Sequence, residues 1–286
     1  MRRALALGVV LAALVGVGAG WTFGRSEDKA TVNRFDGAAA WTFLERQVAL
    51  GPRPAGSRAS RRLAAILRTS IPRGRYQAVP GGLRNVVGTI PGRKPGRTIV
   101  LGAHYDTKDL PGFVGANDGA SGTAVVRQLA RRIKPRQLRP TVIVVFFDGE
   151  EAPRGVPDGQ FQRYGLRGSK VAARAFRSAE AAIVLDFVGD KQLSLPREHL
   201  SDTALWSELR AAARRVGVGR RFPARTQPGV LDDHFPFAQQ GVRAIDLIDF
   251  DFPCWHKTCD DLSAVSRRSL DEVGEAMVEF LMDVYG

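Results

Sequence analysis

The chain has 286 residues, of which 44% are hydrophobic, so it is long enough to bury a sizeable core in one large domain or two small ones. Its formal net charge of +13 raises the question of a nucleic-acid partner. The arginine pairs are scattered beside helical patterns, without interleaved aromatic residues or a nucleic-acid motif, so we interpret them as solvated faces and expect no nucleic acid to bind.

The N-terminal segment combines a basic start with an apolar stretch. Arg2 and Arg3 precede residues 4–23, which are rich in Ala, Val, Leu and Gly. This is the pattern of an export signal, and about 20 apolar residues are also enough to span a bilayer. We therefore assign residues 1–24 to a signal peptide or an N-terminal membrane anchor, and residues 25–34 to a polar linker. Both alternatives place the rest of the chain outside the cytoplasm, secreted or tethered, with no other contact to a membrane.

Residues 35–286 show helical and strand patterns in alternation, and we expect them to form a single domain. Helices are predicted at residues 35–50, after Ser57, after Asp118, after Ser169, and at residues 204–216 and 270–285; strands are predicted at residues 76–90, 98–103, 141–147, 181–185 and 243–248. This alternation indicates an α/β fold, a three-layer sandwich with a mixed, mostly parallel central sheet and helices on both faces.

Histidine and acidic side chains stand at the ends of these predicted strands or just before a helix. The set consists of His104, Asp118, Glu150, Glu151, Asp186 and His256. Each residue alone has an ordinary structural role, such as a helix cap for Asp118 or a solvated turn for the Glu pair. In an open α/β sheet, however, the carboxyl ends of the strands share one edge, where ligands bind. Histidine and carboxylate are the ligands of catalytic zinc, so the set predicts a metal site.

The two cysteines, Cys254 and Cys259, lie on either side of His256. Outside the cytosol such a pair can oxidise and close a short loop. Two free thiols are the alternative, because so tight a loop does not readily meet disulfide geometry.

These residues stand in motifs that resemble the zinc aminopeptidase and glutaminyl cyclase superfamily, from about Trp41 to the C terminus. The motifs are His104-Tyr105-Asp106, Gly115-Ala116-Asn117-Asp118, Phe147-Asp148-Gly149-Glu150-Glu151, Gly168-Ser169, Asp186 and His256. Three details resemble the glutaminyl-peptide cyclotransferases within it: Asp232-Asp233-His234-Phe235-Pro236-Phe237, Phe252-Pro253-Cys254-Trp255-His256, and Tyr164 before Gly165. The resemblance implies a catalytic domain over residues 35–286.

The resemblance also implies a set of metal ligands. Asp118, Glu151 and His256 would bind one zinc ion. In the aminopeptidases His104 matches a ligand of a second metal, which Asp186 also binds, and Asp118 bridges the two ions. The cyclases resemble this pattern in sequence with a single zinc, so the presence of His104 and Asp186 leaves the number of ions open.

Catalytic roles follow from the same resemblance. Glu150 would be the general acid/base, Asp186 and Asp232 a carboxylate network beside it, and Trp255 a wall of the substrate pocket. The implied activity is zinc-assisted cyclisation of N-terminal glutamine to pyroglutamate with release of ammonia, on peptide or protein N-termini, by a monomer. The alternatives are a zinc aminopeptidase of the same fold and a non-catalytic tethered binding protein, against which intact Glu150 argues.

Overall fold

The computed structural model describes residues 34–286, and the predicted signal or anchor segment lies outside the described residues. Within the described range, no helix is both long and apolar enough to cross a membrane. The helices are α1 (Gly37–Val48), α2 (Arg58–Ser70), α3 (Ala120–Arg132), α4 (Phe161–Tyr164), α5 (Arg167–Ala175), α6 (Thr203–Arg215), α7 (Phe235–Gln239) and α8 (Arg267–Tyr285). The strands are β1 (Arg75–Val79), β2 (Leu83–Ile90), β3 (Thr98–His104), β4 (Thr141–Phe147), β5 (Ala181–Leu185), β6 (Arg197–Glu198), β7 (Thr226–Gln227) and β8 (Arg243–Leu247).

Six strands form one mixed sheet in the order β1-β2-β4-β3-β5-β8. The strands β4, β3, β5 and β8 are parallel, whereas β1 and β2 extend the sheet in antiparallel fashion beyond β4. Parallel neighbours need crossover connections, which α3 supplies between β3 and β4 and α6 supplies between β5 and β8. The predicted α/β sandwich with a mixed, mostly parallel sheet is therefore confirmed.

Helices cover both faces of the sheet, which explains why strand β4 is apolar from Val142 to Phe147. Val144 and Phe146 join a large hydrophobic cluster with α1, α2, α3, α6 and α8. Val145 and Phe147 point to the opposite face and pack with α5 and α7. Because successive strand residues face opposite sides, a strand between two helical layers needs apolar residues at every position.

One predicted strand was wrong in its extent. The alternation over residues 76–90 is divided into a hairpin of β1 and β2 rather than one strand. Gly81 and Gly82, at the tip, have φ angles of 84° and 75°, in the left-handed region that glycine adopts without steric cost. The two glycines therefore reverse the chain inside a segment whose hydrophobic pattern continues across the turn.

Candidate active site

The parallel strands bring the predicted site residues to one edge of the sheet. His104 is the last residue of β3, Glu150 and Glu151 follow β4, and Asp186 follows β5. These four side chains are buried, with at most 7% of their surface exposed, and partly buried His256 joins them from the loop after β8. The strand ends therefore gather histidine and carboxylate groups in a largely desolvated place.

Asp118 reaches this edge from the loop before α3. The N-cap of α3 is Gly119, and no side chain caps the helix, so Asp118 does not have the capping role that an isolated Asp suggests. Its carboxylate lies between two histidines instead. Oδ1 of Asp118 is 3.3 Å from Nε2 of His104, and Oδ2 is 3.6 Å from Nε2 of His256.

Asp118, Glu151 and His256 form the first cluster of candidate metal ligands. Nε2 of His256 is 3.1 Å from Oε1 of Glu151, and one ligand atom from each residue lies within 4.8 Å of the others. Oδ2 of Asp118 is buried and has no hydrogen-bond partner among residues 34–286. This donor set fits a zinc ion, whose bonds to such nitrogen and oxygen atoms are about 2.0–2.2 Å long.

His104, Asp118 and Asp186 form a second cluster of the same chemical type. Nε2 of His104 lies 3.2 Å from Oδ1 of Asp186. Because Asp118 presents one oxygen to each cluster, it has the geometry of a carboxylate that bridges two metal positions. The residues present therefore fit either one ion or two.

Asp106 orients the two glutamates, although the sequence analysis gave it no role of its own. Its fully buried carboxylate accepts the backbone N–H groups of Gly149, Glu150 and Glu151 at 3.0, 3.2 and 3.3 Å. Gly149 has a φ of 77°, so the chain turns sharply where β4 ends. Three charge-assisted bonds thereby fix the turn that carries both glutamates.

The electrostatic surroundings of Glu151 favour its ionised form. Burial by itself would raise the pKa of Glu151, but the contacts with His256 and Lys108 lower that pKa below its ordinary value. Nζ of Lys108 is 3.0 Å from Oε2 of Glu151. A metal-binding carboxylate has to be deprotonated, and Glu151 meets this condition. Lys108 could not be identified from the sequence, because nothing in a polar loop indicates that its lysine contacts Glu151.

Glu150 has the opposite surroundings, although it is the next residue in the chain. Burial raises the pKa of Glu150 well above its ordinary value, the charges of Glu151 and Asp232 raise it further, and His104 counteracts them. An acid whose pKa is moved towards neutrality suits proton transfer. The adjacent glutamates are therefore separated into an ionised group and a proton-binding group.

A network of buried carboxylates lies next to Glu150. Burial raises the pKa of Asp186 to about 7, with His104 opposing and the charge of Asp232 adding to the rise. One carboxylate oxygen of Asp246 lies within 4.8 Å of one of Asp232, and burial together with the charges of Asp232 and Asp186 raises the pKa of Asp246 well above its ordinary value. Burial and mutual repulsion of these negative charges therefore favour proton binding by Asp186 and Asp246.

Two further members of this network were missed by the sequence analysis. Asp246 lies inside β8, and a carboxylate within an apolar strand was the signal that could have found it. Nδ1 of His234 is 3.7 Å from Oδ2 of Asp246, and Nε2 of the same ring is 3.1 Å from Oε1 of Glu198. Glu198 is part of the two-residue strand β6, which is too short to show a pattern.

A cavity of about 570 Å³ opens over the site. Asp118, Glu150 and Asp232 line it together with the exposed ring of Trp255. The Trp255 ring centroid lies 4.5 Å from that of His256 and 5.0 Å from that of Phe250. The cavity thus combines a carboxylate floor with an aromatic wall.

A disulfide joins Cys254 and Cys259, which decides between the two alternatives for this pair. It closes the loop that carries Trp255 and His256. Asp260, the next residue, accepts the backbone N–H of Asp118 at 3.0 Å. The loop therefore supports two of the candidate ligands, one within it and one beside it, and such a bond is typical of an oxidising compartment.

Comparison with known proteins shows a family match and a shared fold. The profile of Peptidase family M28 matches residues 85–281. Among solved structures, the glutaminyl cyclase of Tannerella forsythia has a TM-score of 0.78 and 27% identity, covering 87% of this chain and 99% of that one. A leucine aminopeptidase precursor from Bacteroides thetaiotaomicron has a TM-score of 0.77 and 25% identity, covering 87% and 97%.

Similar curated proteins carry cyclotransferase names. The glutaminyl-peptide cyclotransferase-like protein of Mus musculus is 30% identical over 241 residues, which are 71% of this chain and 61% of the relative. The glutaminyl-peptide cyclotransferase of Bos taurus is 28% identical over 227 residues, 65% of this chain and 62% of the relative. The match thus spans somewhat less than two thirds of the length of these relatives.

Proposed function

The chain belongs to Peptidase family M28, and we propose that it is a zinc-dependent glutaminyl-peptide cyclotransferase. The reaction would cyclise N-terminal glutamine to pyroglutamate and release ammonia. The observation that carries the proposal is the acidic floor of the cavity, where buried Asp232 stands beside Glu150 and raises its pKa. The names of the similar proteins from Mus musculus, Bos taurus and Tannerella forsythia support the same activity.

We assign zinc to Asp118, Glu151 and His256. Two carboxylates and one imidazole leave a coordination position open for substrate, as catalytic zinc sites do. Zinc bound there would supply Lewis-acid polarisation of the γ-carbonyl of the substrate glutamine. Ionised Glu151 and the unpartnered Oδ2 of Asp118 support the assignment.

The chain's own residues would orient the substrate and move its proton. Trp255 and Phe250 offer an aromatic surface to the substrate peptide, with the glutamine side chain directed to the cavity floor. The substrate α-amine then attacks its own γ-carbonyl carbon, an intramolecular step that correct orientation favours. Glu150 would accept the amine proton and return it to the departing ammonia. Burial and the negative charges of Glu151 and Asp232 support this role because they help Glu150 to bind a proton.

A zinc aminopeptidase is the second candidate, and one observation favours it. Asp118 directs its two oxygens to two histidines, and His104 and Asp186 complete a second cluster of ligands. Two ions at such positions are typical of metal-dependent aminopeptidases. Glu150 would then deprotonate the attacking water rather than the substrate amine.

A peptide with N-terminal glutamine separates these candidates. Incubation with the protein should reduce the peptide mass by that of ammonia, with ammonia appearing in equal amount. A matched peptide with N-terminal leucine should stay intact. Removal of the first residue from either peptide would favour the aminopeptidase. Absence of turnover on both peptides by zinc-loaded protein would favour the non-catalytic binding protein.

The disulfide supports a location outside the cytoplasm, which we propose together with secretion or anchoring by residues 1–24. That both cysteines are paired agrees with an oxidising compartment. The single catalytic domain over residues 35–286 and the monomeric state stay predictions, which size-exclusion chromatography with light scattering would test.

A further inference from the structure

Glu198 is a completely buried carboxylate to which the proposed reaction assigns no role. Its Oε2 accepts the backbone N–H groups of Leu200 and Val230 at 2.8 and 3.2 Å. Its Oε1 lies 3.1 Å from Nε2 of His234. Oε2 is therefore held by one backbone group after β6 and one after β7, whereas Oε1 has a close contact but no hydrogen-bond partner among residues 34–286.

Two of the residues that Glu198 contacts lie on either side of Asp232 in the sequence. Val230 is two residues before Asp232, and His234 is two residues after it. Residues 229–232 form part of the wall of the cavity, and Asp232, the last of them, is close enough to Glu150 for its charge to raise the pKa of Glu150. The carboxylate of Glu198 thus binds Val230 and contacts His234, one residue on each side of Asp232 along the chain.

A second route connects Glu198 to Asp232 through side chains. The ring of His234 lies between Glu198 and Asp246, with Nδ1 3.7 Å from Oδ2 of Asp246. One carboxylate oxygen of Asp246 lies within 4.8 Å of one of Asp232. The backbone N–H of Asp246 is also fixed, because it donates to Oγ of Ser201 at 2.9 Å. Asp232 is therefore followed by a series of neighbouring polar side chains. These are Asp246, His234 and Glu198, in that order.

The ionisation state of Glu198 determines the strength of the hydrogen bonds that it accepts. Burial alone would raise its pKa, but the neighbouring His234 and Ser201 and the N–H of Leu200 lower that pKa below the ordinary value. Glu198 is therefore ionised, and ionised acceptors make stronger hydrogen bonds than neutral ones. Removal of such a group leaves the backbone N–H groups of Leu200 and Val230 without their acceptor.

We propose that Glu198 is a positioning residue, which holds the wall of residues 229–232 so that Asp232 faces Glu150. Its effect on turnover rests on the proposed cyclotransferase function. Its effect on the wall does not, so the two can be measured separately.

Three variants test the inference. Glu198→Ala removes all of the contacts, and Glu198→Gln keeps an oxygen acceptor but removes the charge beside His234. Glu275→Gln is the matched control, because Glu275 is equally buried and accepts two backbone N–H groups, from Arg34 and Phe35, away from the cavity. Hydrogen–deuterium exchange of peptides covering residues 229–234 reports the wall, and kcat and KM on an N-terminal glutamine peptide report the reaction.

Glu198→Ala should increase deuterium uptake in residues 229–234 and lower kcat about 10²-fold, the effect of a small misplacement of a reacting group. Glu198→Gln should lower kcat about tenfold with a smaller change in uptake, because it retains part of the hydrogen bonding. Glu275→Gln should change neither quantity, and all variants should retain wild-type zinc content.

Unchanged exchange at residues 229–234 in folded Glu198→Ala would overturn the inference, whatever the activity. Increased exchange with wild-type kcat and KM would remove its catalytic part. If Glu198→Ala does not fold, Glu198→Gln decides by the same two readouts. A wild-type protein without cyclase activity would count against the proposed function, while the exchange experiment would still decide whether Glu198 positions the wall.

Discussion

Replacement of Glu150 by glutamine should remove the proton carrier while keeping the shape of the side chain. We expect kcat on an N-terminal glutamine peptide to fall about 10²–10⁴-fold, the amount that general acid/base catalysis supplies. This corresponds to an increase of about 2.7–5.5 kcal/mol in activation free energy. The candidate ligand atoms belong to Asp118, Glu151 and His256, so zinc content should stay at the wild-type value.

The same substitution should make the metal-free protein less sensitive to rising pH. Burial and like charge raise the pKa of Glu150 in the folded state, so the folded protein holds this proton more tightly than the unfolded chain does. Stability is therefore lost as the pH rises from the ordinary glutamate pKa through the raised folded value. Glutamine has no proton to lose, so the Tm of Glu150→Gln should fall less than the wild-type Tm over this interval.

Three measurements on one pair of variants check this reasoning. Ammonia release gives kcat, elemental analysis gives zinc per chain, and thermal unfolding of the metal-free proteins gives Tm against pH. Glu151→Gln is the control, because it should lose zinc as well as activity. Zinc loss from Glu150→Gln would show that the proton carrier and the ligand have been confused. A wild-type kcat in Glu150→Gln would refute the acid/base role.

Further predictions concern the loop after β8. His256→Ala should lower zinc occupancy, whereas His199→Ala, at an exposed histidine, should leave it unchanged, and full zinc stoichiometry in His256→Ala would contradict its assignment as a ligand. The double change of Cys254→Ser and Cys259→Ser should weaken zinc binding about tenfold, because the loop loses its cross-link. Competition with a chelator measures this affinity. An affinity equal to that of the wild type would show that the site does not need the disulfide. Trp255→Ala should raise KM more than it lowers kcat, and an unaltered KM would mean that the substrate does not contact the ring.

The sequence predicted the central part of the fold because local patterns determine it. The run from Val142 to Phe147 is apolar at every position, as a strand covered on both faces requires, and the acids after it mark where that strand ends. The place of Glu150 and Glu151 at the sheet edge followed from this pattern. The roles assigned to them came from the resemblance and stay predictions.

What could not be predicted depends on contacts between distant segments. Asp106 fixes the turn before Glu151, and Glu198 holds the segment around Asp232, yet neither partner is near in sequence. Strands as short as β6 and β7 contain no period from which to infer them. The pairing of Cys254 with Cys259 was also undetermined, because a loop of this length is compatible with either redox state.

His104 gives the second ligand cluster a further property. Burial would lower its pKa, but Asp186, Asp106 and Asp118 around it raise that pKa well above the ordinary value. In the absence of a metal, a protonated imidazole would place a positive charge where a second metal ion would sit. A proton and a metal ion would compete for His104, so the zinc content per chain should increase with pH as His104 loses its proton. We therefore expect a titration to link the one-ion and two-ion forms of such a site, and metal content should be measured across pH rather than at a single pH.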